Sequence, residues 1–302
     1  MQILKELRRN RTCYLFVVPA MIYTLTFSYF TIPYMIIAFE KFNYTTGIRS
    51  PWVGLQNFKY FFNSTRAGVV TYNTLFLSVL FLITGTISAV LVALLINEMR
   101  FKTYARVVQS ITLLPRFLSW VVVSYVLNSL LSSKFGLINK ILEAMGRPAV
   151  RWYSVASYWP AILTVVMLAK NTGYNSIVYL GAITGIDEGI YEAAVVDGAS
   201  NFQRVIYITL PMLMPTVCIM SLLSIGRIFY GDFSMLYALV QDNSMLLDTT
   251  DVIDTYVFRM LRSTGNPSMA MAIGVYQSIM GFIMVFSANY VTRRFFPEGA
   301  LF

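Results

Sequence analysis

Six long apolar runs constrain this sequence more than any other feature. Each is long enough to cross about 30 Å of hydrocarbon, which takes about 20 helical residues. The apolar residues are continuous rather than alternating, which favours membrane helices over the strands of a closed barrel. We therefore predict an all-α, polytopic membrane protein with six transmembrane helices, at residues 14–39, 69–96, 107–131, 158–180, 209–233 and 269–291.

The charge content excludes the usual soluble classes. Only 12% of the 302 residues are charged, whereas a soluble chain carries about a quarter. The net charge of +9 does not indicate nucleic-acid binding, because the basic residues lie thinly between the apolar runs and are typical of residues that flank membrane helices. Cys13 and Cys218 are too few to form a disulfide framework.

The sequence lacks the usual elements of catalysis and nucleotide binding. It contains no histidine, which excludes a His-based triad and the usual zinc sites. It contains no Gly-Lys pair, so it has no phosphate-binding P-loop. We predict no catalytic residues, no metal and no cofactor in this chain, and we expect the energy for any work to come from a partner or from a gradient.

With six spans, both termini lie on one side of the membrane. The count of basic residues is equal on the two sides, but the segments on the terminal side are shorter, and Lys5, Arg8, Arg9 and Arg11 precede the first helix. The density of positive charge therefore predicts cytoplasmic termini. The resulting segments are an N-terminus, a first helix with its extracellular loop, a main membrane domain and a C-terminus, at 1–13, 14–68, 69–292 and 293–302.

The cytoplasmic loop at 181–208 is the most informative segment. Asp187 is a helix N-cap, and a short helix follows with Ile190, Ala193 and Ala194 on one face. Gly198 ends this helix, since glycine accepts the positive φ that helix ends require. Ser200 and Gln203 then form a capping box, which predicts a second helix. The face of this helix that we expect to be buried consists of Phe202, Val205, Ile206 and Leu210.

The same loop carries a long motif of fixed spacing. It reads Glu-Ala-Ala, three residues, Gly, nine residues, Ile-x-Leu-Pro, and its residues are Glu192, Ala193, Ala194, Gly198, Ile208, Leu210 and Pro211. This is the EAA-loop pattern, and the chain resembles permease subunits of bacterial ATP-binding-cassette (ABC) importers of the MalF type. The stretch from Trp52 to Phe58 resembles a signature of carbohydrate permeases, and the stretches from Lys170 to Leu180 and from Asp251 to Val257 resemble their LplB or polysaccharide branch.

The resemblance implies a type I importer fold in the bacterial cytoplasmic membrane, with an ABC permease domain over most of the chain. It implies that this subunit pairs with a second homologous permease, with two ATPases that bind ATP and Mg²⁺, and with an extracellular solute-binding lipoprotein that delivers a glycan. The motif residues, together with Asp197, would couple ATP hydrolysis to the membrane helices.

Polar residues within the apolar runs are candidates for the glycan path. A charge at the bilayer centre costs at least about 2.5 kcal/mol, so it normally faces a cavity or a partner. Hydrogen-bonding groups beside aromatic rings suit sugars, and the candidates are Lys170, Asn171, Tyr174, Asn175, Tyr230, Asp232, Tyr276 and Gln277. The alternative is that these residues bridge helices or the two permease subunits. Trp120 and Trp159, near span ends, are expected to be interfacial anchors.

Three carboxylates recur every three residues in the predicted extracellular loop at 234–268. We interpret Asp248, Asp251 and Asp254 as one solvated helix face. The alternative is a calcium site, which is disfavoured because the loop lacks the alternating oxygen ligands and the central glycine of an EF-hand.

Three other functions compete with a carbohydrate importer. A gradient-driven secondary transporter should show broken helices and intramembrane acids in both halves, and Asp232 is the only such acid. A membrane enzyme is opposed by the lack of an acid/base constellation. An ABC permease for a non-sugar solute is the third alternative.

Overall fold

The computed structural model describes residues 10–295, which form helices joined by turns and two isolated β-bridges. The predicted terminal segments 1–13 and 293–302 lie partly outside this range, and so do Lys5, Arg8 and Arg9. The first half of the described chain contains seven α-helices, α1 to α7: Arg11–Thr24, Gln56–Phe62, Thr65–Asn97, Lys102–Leu113, Trp120–Leu131, Leu137–Ala144 and Trp159–Thr184. The second half contains α8 to α14: Glu188–Val196, Asn201–Arg204, Leu210–Ile225, Phe233–Val240, Leu247–Thr250, Ile253–Thr264 and Pro267–Phe295.

The chain forms two compact units. One contains the chain up to Ser64 together with Arg259–Tyr276, and the other contains Thr65–Phe258 together with the chain from Gln277 on. Helix α1 continues through a π-helical turn and a 3-10 helix, Leu25–Tyr29 and Ile32–Phe39.

In the first unit, the stretch from Trp52 to Phe58 forms a compact turn. Gly54 has φ +61°, which other residues rarely adopt. The buried Asn57 donates from Nδ2 to the carbonyls of Ala38 (2.8 Å) and Glu40 (3.0 Å). The Trp52 ring stacks on Phe39, with ring centroids 5.5 Å apart. The motif at Trp52–Phe58 therefore fixes the end of the first membrane segment.

Four helical segments within residues 10–295 are long and apolar enough to cross a bilayer: Arg11–Phe39, Thr65–Asn97, Asn201–Ile225 and Pro267–Arg294. A bent pair, Lys102–Phe117 with Trp120–Leu131, would make a fifth if it is one span. Helix α7, the predicted fourth span, has 26 residues but carries a lysine and two asparagines. The count of six spans and the cytoplasmic termini stay predictions.

The prediction of one continuous helix at 107–131 is wrong. The chain bends by 97° between Phe117 and Trp120. Pro115 has no N–H to continue the helix, and Ser119 caps the new helix by accepting the Val122 N–H at 3.3 Å. The bend leaves carbonyls without helical partners, and Lys170 of α7 supplies donors for them.

The prediction for 209–233 is wrong at both ends. The helix starts at Asn201 and runs through a π-helical turn, Val205–Thr209, into α10. It ends at Ile225, because Gly226 disfavours helix continuation. The second helix of the predicted cytoplasmic loop and the predicted fifth span are therefore one helical segment of 25 residues.

Helices α3 and α7 form the centre of the second unit. Gly85, Ala89 and Ala93 are buried on α3, and such small residues let helix backbones approach closely. Gly173 of α7 is packed so tightly that an added Cβ would overlap the Thr112 carbonyl. Trp159 is fully buried and donates from Nε1 to the Trp152 carbonyl at 2.9 Å, so its expected role as an interfacial anchor is wrong.

The predicted solvated face of carboxylates is also wrong. Asp248 is exposed and pairs with Arg66 at 2.8 Å, but Asp251 is buried and accepts the Thr255 hydroxyl at 2.9 Å. The helix period places these residues next to each other, but the surrounding chain folds over two of them. Within residues 10–295, no three His, Cys, Asp or Glu side chains come together to hold a metal ion.

Asp254 joins the predicted extracellular loop at 234–268 to α14. Its Oδ2 accepts the Gly231 N–H at 2.6 Å and the Gln277 Nε2 at 3.1 Å. Burial raises the pKa of the Asp254 carboxyl, although the hydrogen bonds from Gly231 and Gln277 oppose the shift. The folded protein therefore binds more protons than the unfolded chain between the ordinary and the raised pKa, so this group's contribution to stability falls as pH rises through that window.

We predict that Asp254→Asn weakens the pH dependence of stability above pH 4, because the amide keeps an acceptor oxygen and carries no charge to bury. Asp254→Ala should lower stability by about 1–3 kcal/mol, since it leaves the N–H of Gly231 and one of the two amide N–H groups of Gln277 without an acceptor. Thermal unfolding of the detergent-purified protein from pH 4 to 8 measures both effects. Asp248→Asn, at an exposed carboxylate, is the control, and an Asp254→Asn curve parallel to the wild-type curve would contradict the assignment.

Candidate functional site

The predicted cytoplasmic loop at 181–208 forms the two short helices that the sequence predicts. Asp187 caps α8, accepting the Gly189 N–H at 3.0 Å, which confirms the predicted cap. Gly198 has φ +80°, which confirms it as the helix end. The Ala199 N–H donates to the Ala194 carbonyl at 2.9 Å, and the Gly198 N–H donates to the Val195 carbonyl at 3.0 Å. These two bonds are the Schellman pattern.

The capping box is confirmed. The Gln203 N–H donates to Ser200 Oγ at 3.3 Å, and the Ser200 N–H donates to Gln203 Oε1 at 2.8 Å. The helix continues without a break into α10, and Pro211 lies in its first turn. Because Pro211 cannot donate a backbone hydrogen bond, the preceding turn widens to the π form.

A hydroxyl pair ties α8 to this longer helix. Tyr191 Oη and Thr209 Oγ1 lie 2.9 Å apart and share a hydrogen bond. Thr209 is buried, and in the sequence it lies between Ile208 and Leu210 of the motif. The Ile-x-Leu-Pro part of the motif therefore lies where α8 is attached to the membrane helix.

The outer face of the loop carries exposed apolar side chains beside Glu192, and no part of residues 10–295 covers it. Glu192 and Ala193 are exposed, Ala194 is partly buried, and Val196 is 87% exposed. Phe202 is 72% exposed, so its predicted burial is wrong, because no part of the described chain packs over that side of α9. Beside this face lies a cavity of about 240 Å³, lined by Asp197, Gly198, Ala199, Gln203, Arg204, Tyr207 and Ile208.

The predicted path residues occupy four separate places. Asn175, Tyr230 and Asp232 line one cavity of about 290 Å³ in the second unit, between α3, α7 and the end of α10. The other residues that line it are Ser78, Phe81, Leu82, Gly85, Thr86, Ala89, Tyr179, Met220, Ser224, Arg227 and Ile228. We call this the polar cavity.

Lys170, Asn171 and Tyr174 lie outside the polar cavity, around Arg116. Lys170 is 6% exposed and donates from Nζ to the carbonyls of Pro115 (3.3 Å), Arg116 (3.0 Å) and Leu118. Its ammonium also lies 5.0 Å from the centre of the Trp120 ring. The contacts of Lys170 favour the helix-bridging alternative, because its donors are used at the bend.

Arg116 engages the two neighbours of Lys170. Its Nη1 donates to Asn171 Oδ1 at 2.6 Å, and its guanidinium lies 4.8 Å from the centre of the Tyr174 ring. The ring of Tyr174 is half exposed. These contacts hold Arg116 against α7 and leave Asn175 as the residue of this stretch that lines the polar cavity.

The last two path residues have structural partners. In the first unit, the Tyr276 ring lies against Phe61 and Phe62, with ring centroids 5.7 and 5.2 Å away. In the second unit, the buried Gln277 donates from Nε2 to the Phe229 carbonyl at 2.6 Å as well as to Asp254. Arg227, which the predicted path set omits, lines the polar cavity. Its charge within an apolar run was the available signal.

Comparison with known proteins identifies the family. Residues 82–297 match the binding-protein-dependent transport system inner membrane component. Protein LplB of Bacillus subtilis (strain 168) is 32% identical over 97% of this chain and 92% of its own length. The polygalacturonan/rhamnogalacturonan transport system permease protein YteP of the same strain is 31% identical over 99% of this chain and 92% of its own length.

Solved structures show the same fold. A chain of a bacterial ABC transporter involved in the import of the acidic polysaccharide alginate has a TM-score of 0.88 and 32% identity, over 97% of this chain and 99% of that chain. A second structure, of an alginate ABC transporter in complex with an alginate pentasaccharide-bound periplasmic protein, has a TM-score of 0.88 and 31% identity, over 98% of each chain. The chain therefore belongs to the family of binding-protein-dependent transport system inner membrane components, with the fold of a type I ABC importer permease.

Proposed function

We propose that this chain is one of two membrane-spanning subunits of a bacterial importer that moves oligosaccharides or polysaccharide fragments across the cytoplasmic membrane. Family membership supports the transport role, and the sugar and polysaccharide systems named for its relatives support the glycan. In this proposal a second homologous permease completes the pathway, and an extracellular binding lipoprotein delivers the glycan. Six spans and cytoplasmic termini complete the proposed topology.

The motif loop is the observation that carries the coupling part of the proposal. Its exposed face, around Ala193 and Val196, suits a groove of another protein, because small and apolar side chains allow close contact. Tyr191 and Thr209 attach α8 to a helical segment of 25 residues. Movement of a docked partner would therefore reach the membrane through rigid elements.

We assign that partner as two ATPase subunits, which would bind ATP and Mg²⁺. Closure of the ATPases on ATP would move α8, and the membrane helices would rearrange so that the pathway opens to the other side of the membrane. This chain then contributes no catalytic residue. Its tasks are to guide the glycan and to transmit force.

The polar cavity is the proposed part of the glycan path in this chain. It combines the Asn175 amide, the Tyr230 ring and the Asp232 carboxylate with the hydroxyls of Ser78 and Ser224. Sugar hydroxyls both donate and accept hydrogen bonds, so a lining of mixed polar groups matches them.

We predict that Gly198→Val abolishes uptake and glycan-stimulated ATP hydrolysis while leaving assembly with the second permease intact. A side chain at φ +80° costs about 1–2 kcal/mol, and the strain displaces the end of α8, whereas the space around Gly198 is open. Uptake and ATP hydrolysis in proteoliposomes that contain the whole complex measure the effect.

Gly146→Val is the matched control. Gly146 ends α6 with φ +73° and open space around it, and the Arg147 N–H donates to the Leu142 carbonyl at 2.8 Å, as in the Schellman pattern at Gly198. The two substitutions impose the same strain, but only one touches the proposed coupling helix. Equal loss of transport in both variants would contradict the coupling role.

We also predict that Asn175→Ala raises the glycan concentration for half-maximal uptake about tenfold, because it removes a hydrogen-bonding amide worth about 1.4 kcal/mol from the path. Asn171→Ala is the control, one turn away on α7, because its side-chain oxygen already accepts from Arg116. Initial rates of uptake over a range of glycan concentrations distinguish the two. A larger effect of Asn171→Ala would move the path away from the polar cavity.

A further inference from the structure

One cation of the polar cavity, Arg227, has no side-chain partner within the part of the chain that the structure describes. Arg227 follows the end of α10, in a turn where the Tyr230 N–H donates to the Arg227 carbonyl at 2.8 Å. Its side chain is exposed and lines the cavity. Among residues 10–295, no side chain or carbonyl forms a hydrogen bond or an ion pair with its guanidinium.

The neighbouring charged groups are all engaged. Lys170 donates to three carbonyls, and Arg116 is bonded to Asn171 and stacked on Tyr174. Asp232, the acid in the cavity lining, accepts the Met235 N–H at Oδ1 (3.0 Å) as the N-cap of α11. It forms no ion pair with Arg227. Arg227 is therefore the cation of this region that remains available to a ligand.

An arginine in the polar cavity that has no partner within residues 10–295 is a binding group for an anion. Arg227 lies two residues beyond the end of the apolar span Asn201–Ile225, and the guanidinium stays charged at all physiological pH values. A charge in such surroundings normally faces a counter-charge or a water-filled path. The planar fork of the guanidinium matches a carboxylate through two parallel hydrogen bonds.

We propose that Arg227 binds the carboxylate of an acidic sugar, so that the glycan carried through the polar cavity is a uronate-containing oligosaccharide. This inference rests on the proposed function and names the substrate class of that same cavity. Asp232 would repel a carboxylate but accept hydrogen bonds from sugar hydroxyls, so the two charges orient the sugar. Asn175 and the ring of Tyr230 complete the contact surface.

The test compares two glycans that differ only at their carboxyl groups. The complete importer, with the second permease, the ATPases and the binding protein, is reconstituted in proteoliposomes. It is offered trigalacturonate or the same trisaccharide with its carboxyls reduced to alcohols. We expect Arg227→Gln to lower uptake of trigalacturonate at limiting concentration by about tenfold to hundredfold, because a charged hydrogen-bond pair is lost. Uptake of the neutral trisaccharide should stay within about twofold of the wild-type rate. Arg227→Lys should fall between the wild type and Arg227→Gln.

Arg66→Gln is the matched control, because it removes the same charge at the exposed pair with Asp248. This substitution should change the uptake of neither trisaccharide. Equal loss of both trisaccharides in Arg227→Gln would overturn the inference, and so would weaker association with the second permease, which would mean that Arg227 pairs with that subunit. A wild-type complex that imports neutral and acidic trisaccharides equally would also overturn it while leaving the proposed function intact. A wild-type complex that imports neither trisaccharide, nor any other oligosaccharide, would instead contradict the proposed function.

Discussion

A membrane chain has to satisfy its backbone polar groups within the protein, and the bend between α4 and α5 is where this requirement is most demanding. The bend leaves carbonyls without the donors of a continuous helix, and the Lys170 ammonium binds those of Arg116 and Leu118 as well as that of Pro115, which also accepts the Leu118 N–H at 3.2 Å. The close approach at Gly173 brings α4 against α7 and makes this contact reachable. The same region holds Arg116 and Tyr174, so the lysine organises the polar surroundings of the proposed path.

The other constraint is mechanical. A helix that starts at Asn201 in the predicted cytoplasmic loop continues to Ile225, next to the polar cavity. Tyr191 joins α8 to this helix through Thr209. The proposed ATPase contact and the proposed glycan contact therefore lie at the two ends of one element. Such an arrangement transmits displacement without requiring a separate hinge.

Local signals in the sequence predicted local structure well. The caps at Asp187 and Ser200 and the positive φ at Gly198 follow from side-chain chemistry within a few residues, and the structure confirms all three. The EAA pattern also predicted the family, because its spacing combines a helix, a turn and a proline at fixed distances.

Sequence patterns alone did not predict the tertiary contacts. Hydropathy does not distinguish a straight span from a bent pair, so the bend at Pro115 was missed. Periodicity placed three aspartates on one face, but burial depends on the chain that folds over Asp251. The predicted path grouped residues by polarity, whereas Lys170 and Gln277 have backbone partners that only the fold provides. Arg227 was omitted because a sequence does not show which charges lack a partner.

The central claim is that α8 docks on an ATPase and transmits its movement. Photo-cross-linking in the assembled complex tests it directly, with benzoylphenylalanine in place of Val196, which is exposed on α8, or in place of Lys140, which is exposed on α6. The account predicts a cross-link from position 196 to the ATP-binding subunit, with a yield that changes when ATP is added, and no such product from position 140. An assembled complex that transports glycan but gives no cross-link from position 196 to the ATP-binding subunit would contradict it.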